Sequence, residues 1–327
     1  MKKLSALITA LMIVFAITMP ATAQQNFKPT EQSVKEQQLL DALKPGGIVS
    51  GRITIPDDRA ANLIQPAGRD WQSFRTGTLA TTGAIAILGM LALLAIFLIV
   101  RGRIRVESGF SGRTVTRFPS FDRFVHWVTA SCFIILALSG LNITFGKALI
   151  APLLGENGFG TLSAWGKLAH NYLAFPFMAG IVVMFLIWVK DNIPGKIDID
   201  WLKAGGGILR KGVHPPAKRF NGGQKAIFWI VVIGGGLMSI SGWNLLFPNE
   251  GISEVQFQSK LHGIIGMLFI AAMIAHIYIG SLGMEGAFDA MGTGEVDENW
   301  AKEHHSLWLA EEKAKAAKAP PGAVAAE

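Results

Sequence analysis

Four histidines lie within otherwise uncharged apolar segments, at His126, His170, His262 and His276. His262 and His276 share one segment and are fourteen residues apart. On a helix this spacing is about 3.9 turns, so both rings point the same way, roughly 21 Å apart along the axis. Imidazole is a common metal ligand, and a haem iron can take two axial imidazoles. One helix face can therefore supply one ligand to each of two haems, with His126 and His170 as the partners.

A lone histidine on an apolar face is more often a hydrogen-bonded core residue than a ligand. Four histidines at matching depths, two of them on one helix face, are harder to explain by packing. Ionisable side chains are also costly inside a membrane, so those found there usually serve a function. We therefore interpret the four histidines as axial ligands of haem iron.

Composition predicts a membrane protein. Half of the residues are hydrophobic and only 16% are charged. A helix of about twenty apolar residues crosses roughly 30 Å of hydrocarbon. We therefore predict an all-α integral membrane protein, a bundle of five transmembrane helices. The five runs of sufficient length are residues 76–100, 124–146, 168–189, 226–247 and 261–284.

A shorter apolar stretch lies at the N-terminus. It follows Lys2 and Lys3 and precedes Ala21-Thr22-Ala23, which has the small-x-small pattern of a signal peptidase site. Residues 1–23 are thus predicted to be a cleaved signal peptide, with an uncleaved anchor as the alternative. The polar stretch 24–75 would then be a periplasmic extension before an extra first helix.

Lysine and arginine in the short loops predict the orientation, because loops rich in them stay in the cytoplasm. Residues 101–123 hold six arginines and residues 190–225 hold eight lysines and arginines, whereas the opposite loops hold few. We expect a multi-pass protein of the bacterial inner membrane, with its mature N-terminus in the periplasm and its C-terminus in the cytoplasm. The predicted haem pairs follow from depth: His126 with His276 on the cytoplasmic side, and His170 with His262 on the periplasmic side.

The chain resembles a known family, the membrane cytochrome b556 (gamma) subunit of respiratory formate dehydrogenase, over about residues 117–310. The resemblance rests on the stretches FDRFVHWVT around His126 and WGKLAHNYLAFPF around His170, on LHGIIGMLFIAAMIAHIYIG in the last helix, and on DNIPGKIDIDWL, NGGQKAIFW and WAKEHH. It implies a four-helix cytochrome b core with two b-type haems, to which the helix at 76–100 is an addition.

The resemblance also implies partners and a direction of electron flow. Electrons would come from a periplasmic iron-sulfur (beta) subunit, cross through the His170/His262 haem and then the His126/His276 haem, and reach membrane quinone. The formate chemistry would belong to a molybdenum- or tungsten-containing catalytic (alpha) subunit, so that no catalytic residue is expected in this chain. Asn221, Gly223 and Gln224 would line the quinone pocket, since amides can hydrogen-bond a quinone carbonyl. Alternatively, Asn221 is simply the N-cap of a helix.

Two other functions remain open from the sequence. A two-haem cytochrome b subunit of a NiFe hydrogenase or a thiosulfate reductase would use the same ligands with another electron donor. A membrane metal transporter would need carboxylate or cysteine companions, or broken helices at the midplane, and neither is evident. His304 and His305 are expected to have no particular role, and residues 311–327 are predicted to form a disordered cytoplasmic tail.

Overall fold

The computed structural model describes residues 68–249 and 251–318. The predicted signal peptide, residues 24–67 of the extension, and residues 319–327 of the tail lie outside the described residues. The chain divides after Ser73. Of the first unit the structure describes only the short helix α1, Gly68–Ser73.

The described part of the second unit is mostly helical. Three segments within it are π-helical turns, Phe74–Leu79, Ile230–Gly234 and Ile279–Gly283, each continuous with a neighbouring α-helix. A small antiparallel sheet pairs Val115 with Val296. In chain order the elements are α2 (Ala80–Arg101), β1 (Thr114–Thr116), α3 (Ser120–Leu149), α4 (Ala151–Trp188), α5 (Lys196–Lys203), α6 (Gly222–Trp229), α7 (Gly235–Leu246), α8 (Ile252–Tyr278), α9 (Asp289–Gly292), β2 (Glu295–Asp297), α10 (Glu298–His304) and α11 (Ser306–Lys318).

Five helices in the described part of the chain are long and apolar enough to cross a membrane. They are α2, α3, α4, the continuous pair α6–α7, and α8 with its π-helical end. Their outward faces expose large apolar side chains such as Leu88, Ile99 and Leu186, which would be unfavourable in water. Helices satisfy their own backbone hydrogen bonds, as the hydrocarbon requires. The chain is a multi-pass membrane protein, and the predicted helical bundle is confirmed.

The helices extend beyond the apolar runs that predict them. Helix α4 begins at Ala151, seventeen residues before the predicted start at 168. Pro152 favours its first turn, where a missing N–H costs nothing, and Gly155 has a left-handed φ of 69° that kinks the helix just after it begins. Because helical hydrogen bonding continues through polar residues outside the hydrocarbon, hydropathy alone underestimates the length of the helix.

Helix α8 lies at the centre of the packing. It packs against α2 on one side and α7 on another, while α3 and α4 share the most extensive contact among the described helices. A methionine of α8, Met267, lies against Gly83 of α2, where a Cβ would come within 2.9 Å of its side chain. The extra first helix therefore covers a face of the helix that carries two of the four histidines.

The two ends of the bundle differ. At one end, α3 and α4 are joined through the single residue Ile150, and only five residues separate α7 from α8; we call this the short-loop end. At the other, which we call the basic end, residues 102–119, residues 189–221 and the C-terminal segment from Met284 pack together. The Arg101 guanidinium, at the end of α2 directly before the first of these segments, donates to the Ile208 carbonyl of the second.

The C-terminal segment folds back onto the basic end. Ile104 pairs with Met284, β1 pairs with β2, and Trp308 is buried in the core. In place of the disorder predicted from residue 311, α11 continues to Lys318. Its start buries Trp308 and Leu309, and the helix continues from there through exposed residues.

Arg117 and His305 form the centre of this C-terminal packing and are 3% and 1% exposed. The His305 Nδ1–H donates to the Lys218 carbonyl at 2.8 Å, so Nε2 accepts from Arg117 Nη2 at 3.0 Å. The same Nη2 donates to the Arg219 carbonyl. The guanidinium also lies against the rings of Trp300 and Trp308. A histidine bonded in this way is held neutral.

We expect the C-terminal packing to loosen as the pH falls below about 6.5, the ordinary histidine value. Burial, and then the nearby Arg117 charge, holds the pKa of His305 well below that value, and burial lowers the pKa of His304 to about 4. The opened segment would thus bind protons that the packed segment excludes, so stability is complete above pH 6.5 and falls below it. Hydrogen exchange of residues 298–318, corrected for intrinsic rates, should show protection dropping by up to about tenfold per pH unit for each histidine.

His305→Gln is the matched variant, because it keeps an acceptor for Arg117 and cannot be protonated. Its protection should depend less on pH than that of the parent, while His214→Gln, at an exposed ring, should behave as the parent does. Protection that is equal at pH 7.5 and pH 5 in the parent protein would contradict the prediction.

Candidate functional site

The four membrane histidines form two facing pairs. His126 of α3 faces His276 of α8 with ring centroids 6.2 Å apart, and His170 of α4 faces His262 of α8, also at 6.2 Å. The interplanar angles are 63° and 61°. The first pair lies toward the basic end and the second toward the short-loop end. Helix α8 contributes one ring to each pair.

The gap within each pair fits one metal ion between the rings. An imidazole nitrogen lies about 2.0–2.1 Å from a metal that it binds and roughly 1.2 Å from its own ring centre, so two axial imidazoles place their centroids about 6.5 Å apart. Both observed distances are close to this value. Among the described residues, no group of three or more His, Cys, Asp or Glu side chains is arranged to hold a metal ion. The donor set in each pair is two imidazoles, as in a bis-histidine haem.

Two serines orient the pair at the short-loop end. Ser139 Oγ lies 2.8 Å from His170 Nδ1, and Ser241 Oγ lies 2.9 Å from His262 Nδ1. Each hydroxyl donates its own proton to carbonyls one turn earlier in its helix, to Ile135 for Ser139 and Leu237 for Ser241. The hydroxyl oxygen is therefore the acceptor, and Nδ1–H of each imidazole is the donor. Nε2 of both rings therefore keeps a free lone pair that can bind a metal.

A glycine follows each of these serines and leaves room for the imidazole edge. A Cβ at Gly242 would lie 3.3 Å from His262 Cε1, and one at Gly140 would lie 3.8 Å from His170 Cε1. The first distance is tighter than ordinary van der Waals contact. Both rings at the short-loop end are thus held in the same way, by a Ser-Gly step on a neighbouring helix.

The pair at the basic end is positioned differently. Residues beside His126 are tied to the C-terminal segment: Trp127 Nε1 donates to the Met291 carbonyl and Arg123 Nη1 to the Gly292 carbonyl. Near the start of α3, the Asp122 carboxylate accepts from Trp188 and Arg219. His126 Nδ1 is buried with no hydrogen-bond partner among the described residues.

Three phenylalanines separate the two pairs. Phe133 and Phe177 lie seven residues after His126 and His170, and Phe269 lies midway between His262 and His276. Their rings meet, with centroids 5.0 Å apart for Phe133 and Phe269 and 6.2 Å for Phe133 and Phe177. Seven residues are about two turns, so each ring lies on the histidine face of its own helix. An aromatic layer fills the space between the two sites.

The predicted quinone residues lie at the start of α6. Asn221 Oδ1 accepts from the Gln224 N–H, and Gln224 Oε1 accepts from the Asn221 N–H, so the two form a capping box. Gly223 lies against the ring of Trp201, where a Cβ would be 3.0 Å from it. The N-cap role is thus present, while the amide NH₂ groups remain available as donors. Within the described part of the chain, no hydrogen bond or ring contact joins these residues to His276.

The class of protein follows from this geometry: a helical membrane protein with two bis-imidazole sites at different depths. The chain belongs to the prokaryotic cytochrome b561 family, whose sequence model matches residues 117–294. Membership implies binding of haem b, and all four histidines lie within the matched region. That each of them binds haem iron, and that the haems number two, stays a prediction.

Curated relatives are cytochrome subunits. The chain is 30% identical over 215 residues to the cytochrome b556(Fdn) subunit of the nitrate-inducible formate dehydrogenase of Escherichia coli K12, a match that covers 63% of this chain and 95% of the relative. It is 31% identical over 203 residues to the formate dehydrogenase cytochrome b556(fdo) subunit of the same organism, covering 61% and 93%. A Haemophilus influenzae formate dehydrogenase cytochrome b556 subunit is 25% identical over 205 residues, covering 61% and 83%.

Several residues of the site were not predicted from the sequence. Ser139 and Ser241 were detectable, since LSGLN at 138–142 and ISGWN at 240–244 repeat a Ser-Gly-x-Asn pattern in two apolar segments. Single serines in membrane helices usually bond only to their own backbone, so each alone carries little signal. The role of Arg117 and His305 has no local signal, because it arises from the return of the C-terminal segment.

We expect the four histidines to act as two independent pairs. His126→Ala and His276→Ala should each remove the same haem, and His170→Ala and His262→Ala the other, because one imidazole alone is a weaker axial site. Haem measured per polypeptide should fall from about two to about one in each variant, and in a His126→Ala/His276→Ala double variant no further. His214→Ala is the control and should keep full haem content. Loss of different spectral haems within one pair would contradict the pairing.

Proposed function

We propose that this chain is the haem b electron-transfer and membrane-anchor subunit of a formate dehydrogenase complex. It would accept electrons from an iron-sulfur subunit at the short-loop end and deliver them to quinone at the basic end. A separate molybdenum- or tungsten-containing subunit would oxidise formate, so this chain would have no catalytic residue for that step. The formate dehydrogenase cytochrome relatives support a formate dehydrogenase complex, and the family resemblance of the sequence implies the iron-sulfur and molybdenum or tungsten partners.

One observation carries the proposal: two imidazole pairs lie at different depths, and α8 contributes one ring to each. In both pairs the ring centroids are 6.2 Å apart. When bound there, two haems would carry electrons one at a time between the two membrane surfaces. His262 and His276, fourteen residues apart on α8, set the separation of the sites at roughly 21 Å along the helix axis. The phenylalanine layer excludes water from the space between them.

The orientation is part of the proposal. Both loops rich in lysine and arginine, and the C-terminal segment, pack together at the basic end, which supports a cytoplasmic location for that end. The mature N-terminus would then be periplasmic, and the His170/His262 site would face the periplasmic partner. Electrons moving inward, with protons taken up from the cytoplasm at quinone, would build a membrane potential by charge separation.

The quinone site would lie at the start of α6. Asn221 and Gln224 use their carbonyl oxygens in the capping box, so their NH₂ groups can donate to quinone carbonyl oxygens. The next residue, Lys225, is buried and donates to Asp198 and to the Ile193 carbonyl, which ties α6 to the segment around α5. This pair would hold the two amides in place at the membrane surface.

A reduced-minus-oxidised spectrum of the purified membrane complex tests the function. We expect b-type haem absorbance corresponding to two haems per chain, reduced by formate as fully as by dithionite. Reduction by dithionite alone would contradict formate as the donor and favour a hydrogenase or thiosulfate reductase cytochrome. The absence of haem would contradict the cytochrome function itself. The His126→Ala/His170→Ala double variant, which interrupts both sites, provides the spectral blank.

We expect Asn221→Asp and Gln224→Glu to weaken quinone reduction while leaving haem content unchanged. Each substitution keeps the oxygen that closes the capping box and removes the NH₂ donor. Loss of one hydrogen bond of about 1.4 kcal/mol should raise the KM for a water-soluble quinone roughly tenfold. Asn244→Asp, at the other end of the same spanning segment, is the matched control. An unchanged KM in both variants would exclude these amides from the quinone site.

A further inference from the structure

Among the described serines and threonines of the spanning helices, several donate to a carbonyl one turn earlier. Ser239 donates to Gly235, Thr144 to Gly140 and Thr129 to Val125. Such back-bonding satisfies a hydroxyl in an apolar environment and by itself needs no further explanation. Ser139 and Ser241 differ from these three, because their oxygens also lie within 3 Å of an imidazole nitrogen.

The two serines are equivalent by sequence and by geometry. Each is followed by a glycine and, two residues later again, by an asparagine. Each accepts from the Nδ1–H of a histidine on a different helix, and both histidines belong to the same facing pair. Ser241 is fully buried and Ser139 nearly so, so water does not compete for these bonds.

The pair at the basic end has no such support in the part of the chain that the structure describes. His126 Nδ1 is buried without a hydrogen-bond partner among the described residues. The two pairs have the same gap and nearly the same ring angle. They differ in the hydrogen bonding of Nδ1, the ring nitrogen on the far side from a metal bound at Nε2.

A hydrogen bond from the far nitrogen of an imidazole has two effects on a metal at the near nitrogen. It fixes the tautomer and the ring orientation, and it raises the basicity of the ligating nitrogen. A more basic axial ligand favours the more highly charged ferric iron over the ferrous. The haem with such support therefore has the lower reduction potential of two otherwise similar haems.

We propose that Ser139 and Ser241 are positioning residues that hold His170 and His262 with Nε2 toward the iron and lower the potential of the haem at the short-loop end relative to that at the basic end. The proposal rests on the proposed function only in requiring a haem at each pair. Electron transfer from the short-loop end to the basic end is then downhill, whatever the external donor is.

Redox titration of the purified complex with dithionite and ferricyanide, followed in the haem α band, tests the proposal. Ser139→Ala and Ser241→Ala should each move the lower of two midpoint potentials in the positive direction and leave the higher one unchanged. Electron paramagnetic resonance of the oxidised protein should show a change in the low-spin signal of the same haem, because the imidazole ring would no longer be held in a fixed orientation. Ser239→Ala and Thr144→Val, on the same two helices, should alter neither readout.

Further variants separate the hydrogen bond from simple packing. Ser139→Thr keeps the hydroxyl and should keep the parent potential, whereas Ser139→Cys fills a similar volume with a poor acceptor and should behave as alanine does. If alanine prevents binding of that haem, threonine should restore it and cysteine should not. Equal behaviour of threonine and cysteine, or unchanged potentials in both alanine variants, would overturn the proposal.

The readouts also separate this proposal from the proposed function. They do not use formate, so failure of formate to reduce the haems leaves the serine proposal intact. If both haems bind normally and their potentials are unchanged in both serine variants, the serine proposal is contradicted and the proposed function is not. A shift of both potentials together in a serine variant would indicate general loosening of the bundle and would also count against it.

Discussion

The rest of this molecule depends on one distance, the 6.2 Å between the centroids of two facing imidazole rings. A metal between two nitrogens tolerates only small changes in that distance, so the helices that carry the rings must be fixed against one another. At the short-loop end, α3 and α7 each provide a serine behind a ring. At the basic end, the segment after α8 returns to bind residues beside His126. Both ends meet the same requirement by different means.

The C-terminal segment shows how such precision is reached outside the membrane. Arg117 and His305 are buried together, and their mutual bonds connect the residues before α3, the loop before α6 and the start of α11. A buried cation is normally unfavourable unless other groups compensate its charge. Here two tryptophan rings and a phenylalanine surround it, and aromatic faces attract a desolvated guanidinium. The N-terminus of α3, and with it His126, is held by this cluster.

Hydropathy predicts much of the architecture. The remaining features depend on contacts between segments, which hydropathy does not describe. The apolar runs predicted the five helices, and the spacing of His262 and His276 predicted a shared face. Where α4 begins is not predictable in this way, because helix geometry continues through Lys167 and Glu156 beyond the apolar core. The return of α11 to the bundle involves burial of Trp308 at its start, and the supporting serines depend on which helices are neighbours. The role of Asn221 is hard to predict for another reason: asparagine is suited both to capping a helix and to contacting a ligand.

Helix α8 connects the two sites as one rigid segment, and this constrains how the chain can change during evolution. Each residue added to or removed from a helix rotates the remainder of that helix by about 100° and shifts it by about 1.5 Å. An insertion or deletion between His262 and His276 would turn one ring away from its partner while the other stayed in place. Substitutions at the lipid-facing positions between them can be tolerated singly. The length of this interval cannot vary, so it should be the same in every descendant that retains both sites.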